Sequence, residues 1–108
     1  MQAFELSAIN RQRLCDARAY LEFLRVPALS LGLYVLPPGG VDSQKPHAED
    51  EVYYIIRGRG MIRIETEDRD VQEGSVVFAP AGTPHHFHSI SEEIHILVFF
   101  APAEGTNA

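Results

Sequence analysis

Three features are scarce in this sequence, and each scarcity excludes a class of protein. One cysteine, Cys15, stands among 108 residues, so a disulfide within the chain is excluded and a reducing compartment is favoured. The longest apolar run, residues 94–101, is interrupted by His95 and is far too short to span a bilayer. The first residues carry no apolar leader with a cleavage signal. We therefore expect a cytoplasmic protein with no membrane contact.

Positive charge is the third scarce feature. Lys and Arg total 9 against 15 Asp and Glu, the net charge is −6, and the cationic residues form no run or stripe. Recognition of nucleic acid or of an anionic lipid surface needs clustered cations, so we expect neither as a partner. The length suits one domain with one core, and we expect its ligand to be a small molecule.

Most of the chain has the pattern of β-structure. Apolar segments recur at roughly ten-residue intervals between Gly, Pro and Asp turns, which is typical of an all-β sandwich or barrel. Turns are expected at residues 58–60, at the charged stretch 67–70 and at residues 91–93. The predicted strands are 29–36, 51–57, 61–65, 71–73, 75–79, 85–90 and 94–101.

The two ends of the chain are less regular. Residues 7–24 carry a helical pattern, although the part AYLEFL reads equally well as a strand, and Cys15 is expected to be buried. We predict an N-terminal arm over residues 1–28 that packs on a barrel over residues 29–101. Residues 102–108 are predicted to form a frayed C-terminal tail. Several strands are apolar on both faces, and we expect a homodimer to cover the outer face.

The first polar cluster precedes and begins a predicted strand. His47, Glu49 and Glu51 are spaced by two, and they are followed at the same spacing by Tyr53. Residues two apart in an extended strand point to the same face, so an imidazole and two carboxylates should converge. This donor set suits Zn, Fe, Ni, Mn or Cu.

The second polar cluster follows the tight loop PAGTP. It contains His85, His86 and His88 at the beginning of a predicted strand. Alternation places His85 and Phe87 on one face and the other two histidines on the opposite face. We therefore predict that His85 joins the first cluster, whereas His86 and His88 lie at the surface or at an interface.

The second cluster resembles one of the two motifs of the cupin superfamily. The motif's glycine, proline, second glycine and histidine correspond to Gly74, Pro80, Gly82 and His85, and its final asparagine is Ser89 in this chain. The intervening residues SVVFA fit its spacing. The resemblance covers residues 29–101 and is specific because of this motif.

The first cluster is similar to the other cupin motif when it is aligned from its end. Glu51 and Gly58 then match the glutamate and the closing glycine, His47 takes the second histidine position, and Gly39 takes the opening glycine. The first histidine position falls on Lys45. A lysine ammonium has no lone pair and repels cations, so Gln44 or water is expected to fill the place.

The resemblance implies a single-domain, RmlC-like jelly-roll β-barrel with a divalent transition metal (Fe, Zn, Mn or Ni) at its mouth. The implied ligands are His47, Glu51 and His85. Glu49 and Tyr53, on the same face, are the candidates for proton transfer. An enzyme of this kind would be a dioxygenase, an isomerase or a decarboxylase acting on a small organic molecule.

Two alternatives stay open at this level. The first is a non-catalytic module that captures a small molecule in the same pocket. The second is a metal-free cupin similar to the family's epimerases, in which Lys45 supplies the charge and His85 or His47 acts as a base.

Overall fold

The computed structural model describes residues 1–107; Ala108, the last residue of the predicted tail, lies outside the described residues. One helix is followed by six strands in an all-β fold. The elements are α1 (Leu6–Cys15), β1 (Tyr20–Val26), β2 (Leu29–Leu36), β3 (Asp50–Ile64), β4 (Glu67–Gln72), β5 (Val76–Ala79) and β6 (His85–Ala101).

The strands form one antiparallel sheet that curves around a single core. Their order is β1-β2-β6-β3-β4, and β5 pairs with the first part of β3. Alternate residues of each strand point inward, and their apolar side chains form the core. The buried core comprises Tyr34, Leu36, Tyr53, Ile55, Ile62, Val71, Ala79, Phe87, Ile90, Ile94, Ile96, Val98 and Phe100.

The two longest strands differ from the prediction. Residues 58–60 and 91–93 were expected to be turns, but β3 and β6 run through them without ending. The β3–β6 register instead shifts in steps between Ile55 and Met61, as β-bulges require. Gly58 has φ 98°, and a Cβ there would lie 2.2 Å from the Glu93 carbonyl oxygen. Glycine therefore permits a bend within a continuous strand rather than a turn between two strands.

The expected charged turn over residues 67–70 is also wrong. Ile64 pairs with Glu67, so the hairpin turns at Glu65 and Thr66, and Glu65 has a positive φ of 53°. The charged residues lie in β4, where most of their side chains are exposed.

The N-terminal region contains both of the structures that its sequence allowed. Helix α1 ends at Cys15, which is exposed rather than buried as expected. The stretch AYLEFL contributes most of β1, which pairs with β2 at the edge of the sheet. No helix in residues 1–107 is long and apolar enough to cross a membrane.

The outer face of the sheet carries exposed apolar side chains. Val76 and Phe78 on β5 are 61% and 55% exposed, and they lie beside Tyr54 and Val52 of β3. The sequence pattern led us to expect this face, and the homodimer that would cover it stays a prediction.

Residues 103–107 do not fray as predicted. Ala103 is buried, and its backbone N–H donates to the Pro27 carbonyl oxygen. The Glu104 N–H donates to the Ser30 hydroxyl at 3.0 Å, and the Glu104 carbonyl accepts from the Arg25 guanidinium at 2.6 Å. Residues 103–107 thus pack back across the beginning of β2, and we call them the strap.

Candidate functional site

Two loops bring the polar clusters together at one end of the barrel. The loop before β3 carries His47, and the loop between β5 and β6 leads into His85. The Gly82 N–H donates to the His47 carbonyl oxygen at 2.7 Å, and the Ala81 N–H donates to the Asp50 carboxylate at 2.9 Å. These backbone contacts fix the two loops to each other and place both histidines beside Glu51.

The centre of the site is the buried pair of Glu51 and His85. Glu51 Oε1 lies 3.0 Å from His85 Nε2, and both side chains are almost completely buried. The two atoms are not aligned as a hydrogen bond, and within residues 1–107 neither has another hydrogen-bond partner. Leaving a buried polar atom without a partner is costly, so this pair calls for an explanation.

The other nitrogen of the His85 ring identifies its tautomer. Nδ1 lies 2.7 Å from the Thr83 carbonyl oxygen, which can only accept, so Nδ1 carries a hydrogen and donates it. In the neutral ring Nε2 therefore presents its lone pair to Glu51. A carboxylate lone pair and an imidazole lone pair that face each other need a cation or a proton between them.

The electrostatic surroundings favour a charged His85 ring. Burial acts to lower the pKa of His85, but contact with the Glu51 carboxylate and the Thr83 carbonyl outweighs it and raises the pKa above its ordinary value. The Glu51 carboxylate and the Thr83 carbonyl thus stabilise a positive charge on the His85 ring.

His47 is the third member of the cluster, at a greater distance. Its Nε2 is 3.8 Å from Glu51 Oε1, and its Nδ1 is 3.6 Å from Oε2 of Glu104 on the strap. The ring packs edge-on against Phe100, with centroids 4.8 Å apart. His47 therefore stands between two carboxylates, with one ring nitrogen directed to each.

Tyr53 acts on Glu51 rather than on the open part of the site. It is fully buried, and its hydroxyl donates to Glu51 Oε2 at 2.6 Å. Burial and the adjacent carboxylate raise the pKa of Tyr53. The tyrosine thus satisfies one carboxylate oxygen and leaves Oε1 free to face the histidines. Its predicted role in proton transfer stays a prediction.

Asp42 is a structural residue beside the site that the sequence reasoning missed. Its buried carboxylate accepts hydrogen bonds from the Tyr34 hydroxyl at 2.7 Å and from the Phe87 N–H at 2.8 Å. It also accepts from the backbone and side-chain nitrogens of Gln44. Asp42 therefore attaches the loop before β3 to the barrel. The only signal in the sequence was an acidic residue two positions before Gln44, a spacing common in turns.

Gln44, and not Lys45, faces the interior at the place where the motif has its first histidine. Gln44 is half-buried, and its Oε1 lies 3.4 Å from the Tyr53 hydroxyl. Lys45 is exposed. The side chain that breaks the motif thus points away from the site, and an amide takes its place near Glu51.

Glu49 is buried but faces the strap. Oε1 accepts from the Gly105 N–H at 3.0 Å, and Oε2 accepts from the Asn107 N–H at 2.9 Å. Desolvation acts to raise the pKa of Glu49, but these two backbone hydrogen bonds outweigh it and lower the pKa. Both oxygens are occupied, so the structure does not bring Glu49 to the Glu51–His85 pair. Proton transfer by Glu49 stays a prediction.

Glu104 on the strap is the second residue that the sequence reasoning missed. Its carboxylate is about one-third exposed and lies beside the His47 ring. Burial and neighbouring carboxylates raise the pKa of Glu104, against the opposite influence of His47. No motif includes it, and its segment was expected to fray, so the sequence carried no signal for it.

A pocket of about 300 Å³ opens beside His47. Its walls are mainly apolar, and a few polar groups converge on it, as is usual for small-molecule sites. The lining includes Tyr20, Tyr34, Gln44, His47, Phe100 and Glu104. The pocket and the Glu51–His85 pair thus share the His47 ring as their boundary.

His86 and His88 lie away from this site, as alternation predicts, and so does His95. His88 faces outward, where Nε2 contacts Asp68 at 2.7 Å, and His86 packs beside it. His95 is buried on another part of β6 and contacts Glu93 and Arg57.

The donors of the site do not form a closed metal cluster. Across the part of the chain that the structure describes, no three His, Cys, Asp or Glu side chains meet the geometry of a metal site. Of the three predicted ligands, Glu51 and His85 are in contact and His47 stands farther away. Closing the set requires the His47 ring to move toward Glu51.

Comparison with known proteins identifies the family. The model of the cupin domain matches residues 32–100. The chain is 49% identical over 104 residues to the uncharacterized protein SCO3923 of Streptomyces coelicolor, covering 96% of this chain and 99% of that protein. The chain therefore belongs to the cupin family.

Solved structures agree on the fold. The structure of TT1209 from Thermus thermophilus is similar with a TM-score of 0.73 and 27% identity, covering 95% of this chain and 99% of that one. KdgF from Halomonas sp. is similar with a TM-score of 0.71 and 21% identity, covering 77% and 76% of the two chains. The second of these likenesses carries information on the fold alone.

Proposed function

We propose that this cupin binds one divalent transition metal ion through His47 Nε2, Glu51 Oε1 and His85 Nε2. The observation that carries the proposal is the buried contact between Glu51 Oε1 and His85 Nε2, 3.0 Å apart and without hydrogen-bonding geometry. A cation between them satisfies both lone pairs at once. The donor set of two imidazoles and one carboxylate suits Fe, Zn, Mn or Ni.

The distances approach those of a metal site, and the His47 ring would move toward Glu51 to complete it. Ligand atoms about 2.1 Å from one tetrahedral metal lie roughly 3.4 Å apart. The two distances from Glu51 Oε1, 3.0 Å to His85 and 3.8 Å to His47, lie on either side of that value. Tyr53 and Thr83 hold the far sides of Glu51 and His85, as outer partners of metal ligands commonly do. Gln44 or water completes the shell.

Bound there, the metal would polarise a substrate oxygen or supply a redox centre, which corresponds to isomerase, decarboxylase or dioxygenase chemistry. The chain's own residues would supply the pocket beside His47, the proton held between Tyr53 and Glu51, and the exclusion of water from the buried pair. The same pocket would serve a non-catalytic module that captures a small molecule. Fold alone does not choose between these functions.

A metal-free site is the second candidate, because the surroundings raise the pKa of His85. In that case an imidazolium replaces the metal beside Glu51, and the pair acts as an acid and a base. Exposure of Lys45 removes one argument for this candidate, since its charge is directed to solvent.

Elemental analysis of the full chain, before and after reconstitution with each metal, tests the proposal. We expect about one equivalent in the unaltered protein, and below about a tenth of an equivalent in His85→Ala with the fold retained. His88→Ala is the matched control on the same strand and should bind metal normally. An unaltered protein that takes up no metal after reconstitution contradicts the proposal and leaves the metal-free site.

A further inference from the structure

We infer that the strap, residues 103–107, is a working part of the site: Glu49 anchors it, and its Glu104 carboxylate positions the His47 ring toward Glu51. The inference rests on the proposed function for the role of His47 as a ligand. The anchoring and the positioning are properties of the chain by itself.

Glu49 anchors the strap. The two oxygens of Glu49 accept the backbone N–H groups of Gly105 and Asn107, at 3.0 and 2.9 Å. The Asn107 side chain donates to the Ala48 carbonyl oxygen at 3.3 Å. Hydrogen bonds to an ionised acceptor are roughly twice as strong as neutral ones. These contacts attach the strap to Ala48 and Glu49, directly after His47.

The backbone of Glu104 is held by neighbouring strands. Its N–H donates to Ser30 and its carbonyl accepts from Arg25, so β1 and β2 both hold its backbone. Ala103, the residue before Glu104, is buried and therefore held in place. The Glu104 backbone is therefore held on both sides, and its side chain is directed to the pocket that His47 borders.

The Glu104 carboxylate lies beside the His47 ring. Glu104 Oε2 lies 3.6 Å from His47 Nδ1, while His47 Nε2 faces Glu51. The two atoms are just beyond hydrogen-bond distance, and the negative charge of the carboxylate favours the tautomer with a hydrogen on Nδ1 and the lone pair on Nε2. For His85 the Thr83 carbonyl has the corresponding role. Each histidine then has an outer oxygen that orients it toward Glu51, and Glu104 supplies the one for His47.

Titration with Co²⁺, followed by its visible absorption, tests this coupling in the full chain. Glu104→Ala should weaken Co²⁺ binding about 10- to 100-fold with an unchanged stoichiometry of one, because an outer partner of a ligand is lost. Glu104→Gln keeps an acceptor oxygen and should restore part of the affinity. Glu92→Ala is the control, because Glu92 is an exposed carboxylate that contacts Arg59 and touches neither the strap nor His47.

A double variant tests whether Glu49 acts through Glu104. Glu49→Gln should weaken Co²⁺ binding, because it loosens the strap. Adding Glu49→Gln to Glu104→Ala should change the affinity by less than about twofold, because both changes interrupt the same path. Independent, multiplying effects would overturn the path from Glu49 to Glu104.

The ring nitrogen shifts of His47 in metal-free protein, measured by NMR at mildly alkaline pH, provide a readout that needs no metal. The hydrogen should be on Nδ1 in the unaltered chain and should redistribute toward Nε2 in Glu104→Ala. An unchanged tautomer in that variant overturns the positioning role, whatever happens to the affinity. If the unaltered chain binds no metal, the proposed function fails, and the tautomer still decides the positioning role.

Discussion

Glu49 and Glu51 are two residues apart, and both carboxylates are buried, with 3% and 1% of their surface exposed. Their surroundings nevertheless differ. Both oxygens of Glu49 accept backbone N–H groups from the strap. Glu51 has one oxygen bonded to Tyr53, while the other faces a histidine nitrogen without a hydrogen bond.

The difference separates a carboxylate that is satisfied within the chain from one that is open to a ligand. Burial of a carboxylate is costly, and each must be compensated. Glu49 is compensated within the chain, so it holds a segment in place. Glu51 is compensated at one oxygen only, and the other oxygen is available for a cation. Burial alone does not distinguish these two roles, because both carboxylates are buried.

The largest expected effect is on metal content in Glu51→Gln. The amide has the shape of the carboxylate but lacks its charge, so metal should fall below about a tenth of an equivalent. The fold should be retained, because the new amide N–H can donate to the His85 lone pair. Metal content and circular dichroism measure the two effects. One full equivalent of metal in this variant would show that Glu51 is not a ligand and that the contrast with Glu49 is mistaken.

A smaller effect, on stability, is expected in Glu49→Gln. The substitution removes one hydrogen bond between a backbone N–H of the strap and an ionised acceptor, and it should lower the free energy of unfolding by about 1.5–3 kcal/mol. Urea unfolding of metal-free protein measures it, and protease cleavage near residues 103–107 should become faster. Unchanged stability and cleavage would contradict the anchor, and Glu65→Gln, at the exposed β3–β4 turn, serves as the control.

The smallest effect concerns pH. The pKa of Glu49 in the folded protein is below its ordinary value of 4.5, so the folded state favours the ionised form. Its contribution to stability is therefore complete above pH 4.5 and is lost as the pH falls through the lowered pKa. The difference in unfolding free energy between unaltered protein and Glu49→Gln, both freed of metal, should shrink in that range. A difference that grows toward acid would reverse the sign and contradict the hydrogen bonds assigned to Glu49.

Strand alternation did not predict the direction of the Glu49 side chain. Spacing by two predicted one shared face for His47, Glu49 and Glu51. That rule requires extended, paired backbone, and β3 begins only at Asp50. Glu49 stands in the bend before it, so its side chain is free to face the strap. Within β3 the same rule holds, since Tyr53 and Ile55 are both buried.

Local covalent geometry accounts for what the sequence by itself determined. Alternation along a strand separated the buried His85 and Phe87 from the outward His86 and His88. The glycine, proline and histidine of the second cluster resemble a cupin motif, and the family match confirms that resemblance. These features depend on residues that are close together in the chain, because side-chain alternation and turn formation are properties of short segments.

Only the tertiary structure decided which distant groups meet. In the β3–β6 ladder Glu51 lies opposite Phe100 and His85 opposite Ile64, so their contact arises across the interior of the curved sheet and not along the ladder. Asp42 and Glu104 likewise reach the site only because a loop and the strap fold back onto the barrel. Such contacts depend on the curvature of the sheet and on the packing of distant segments, and the periodicity of a short segment carries no information on either.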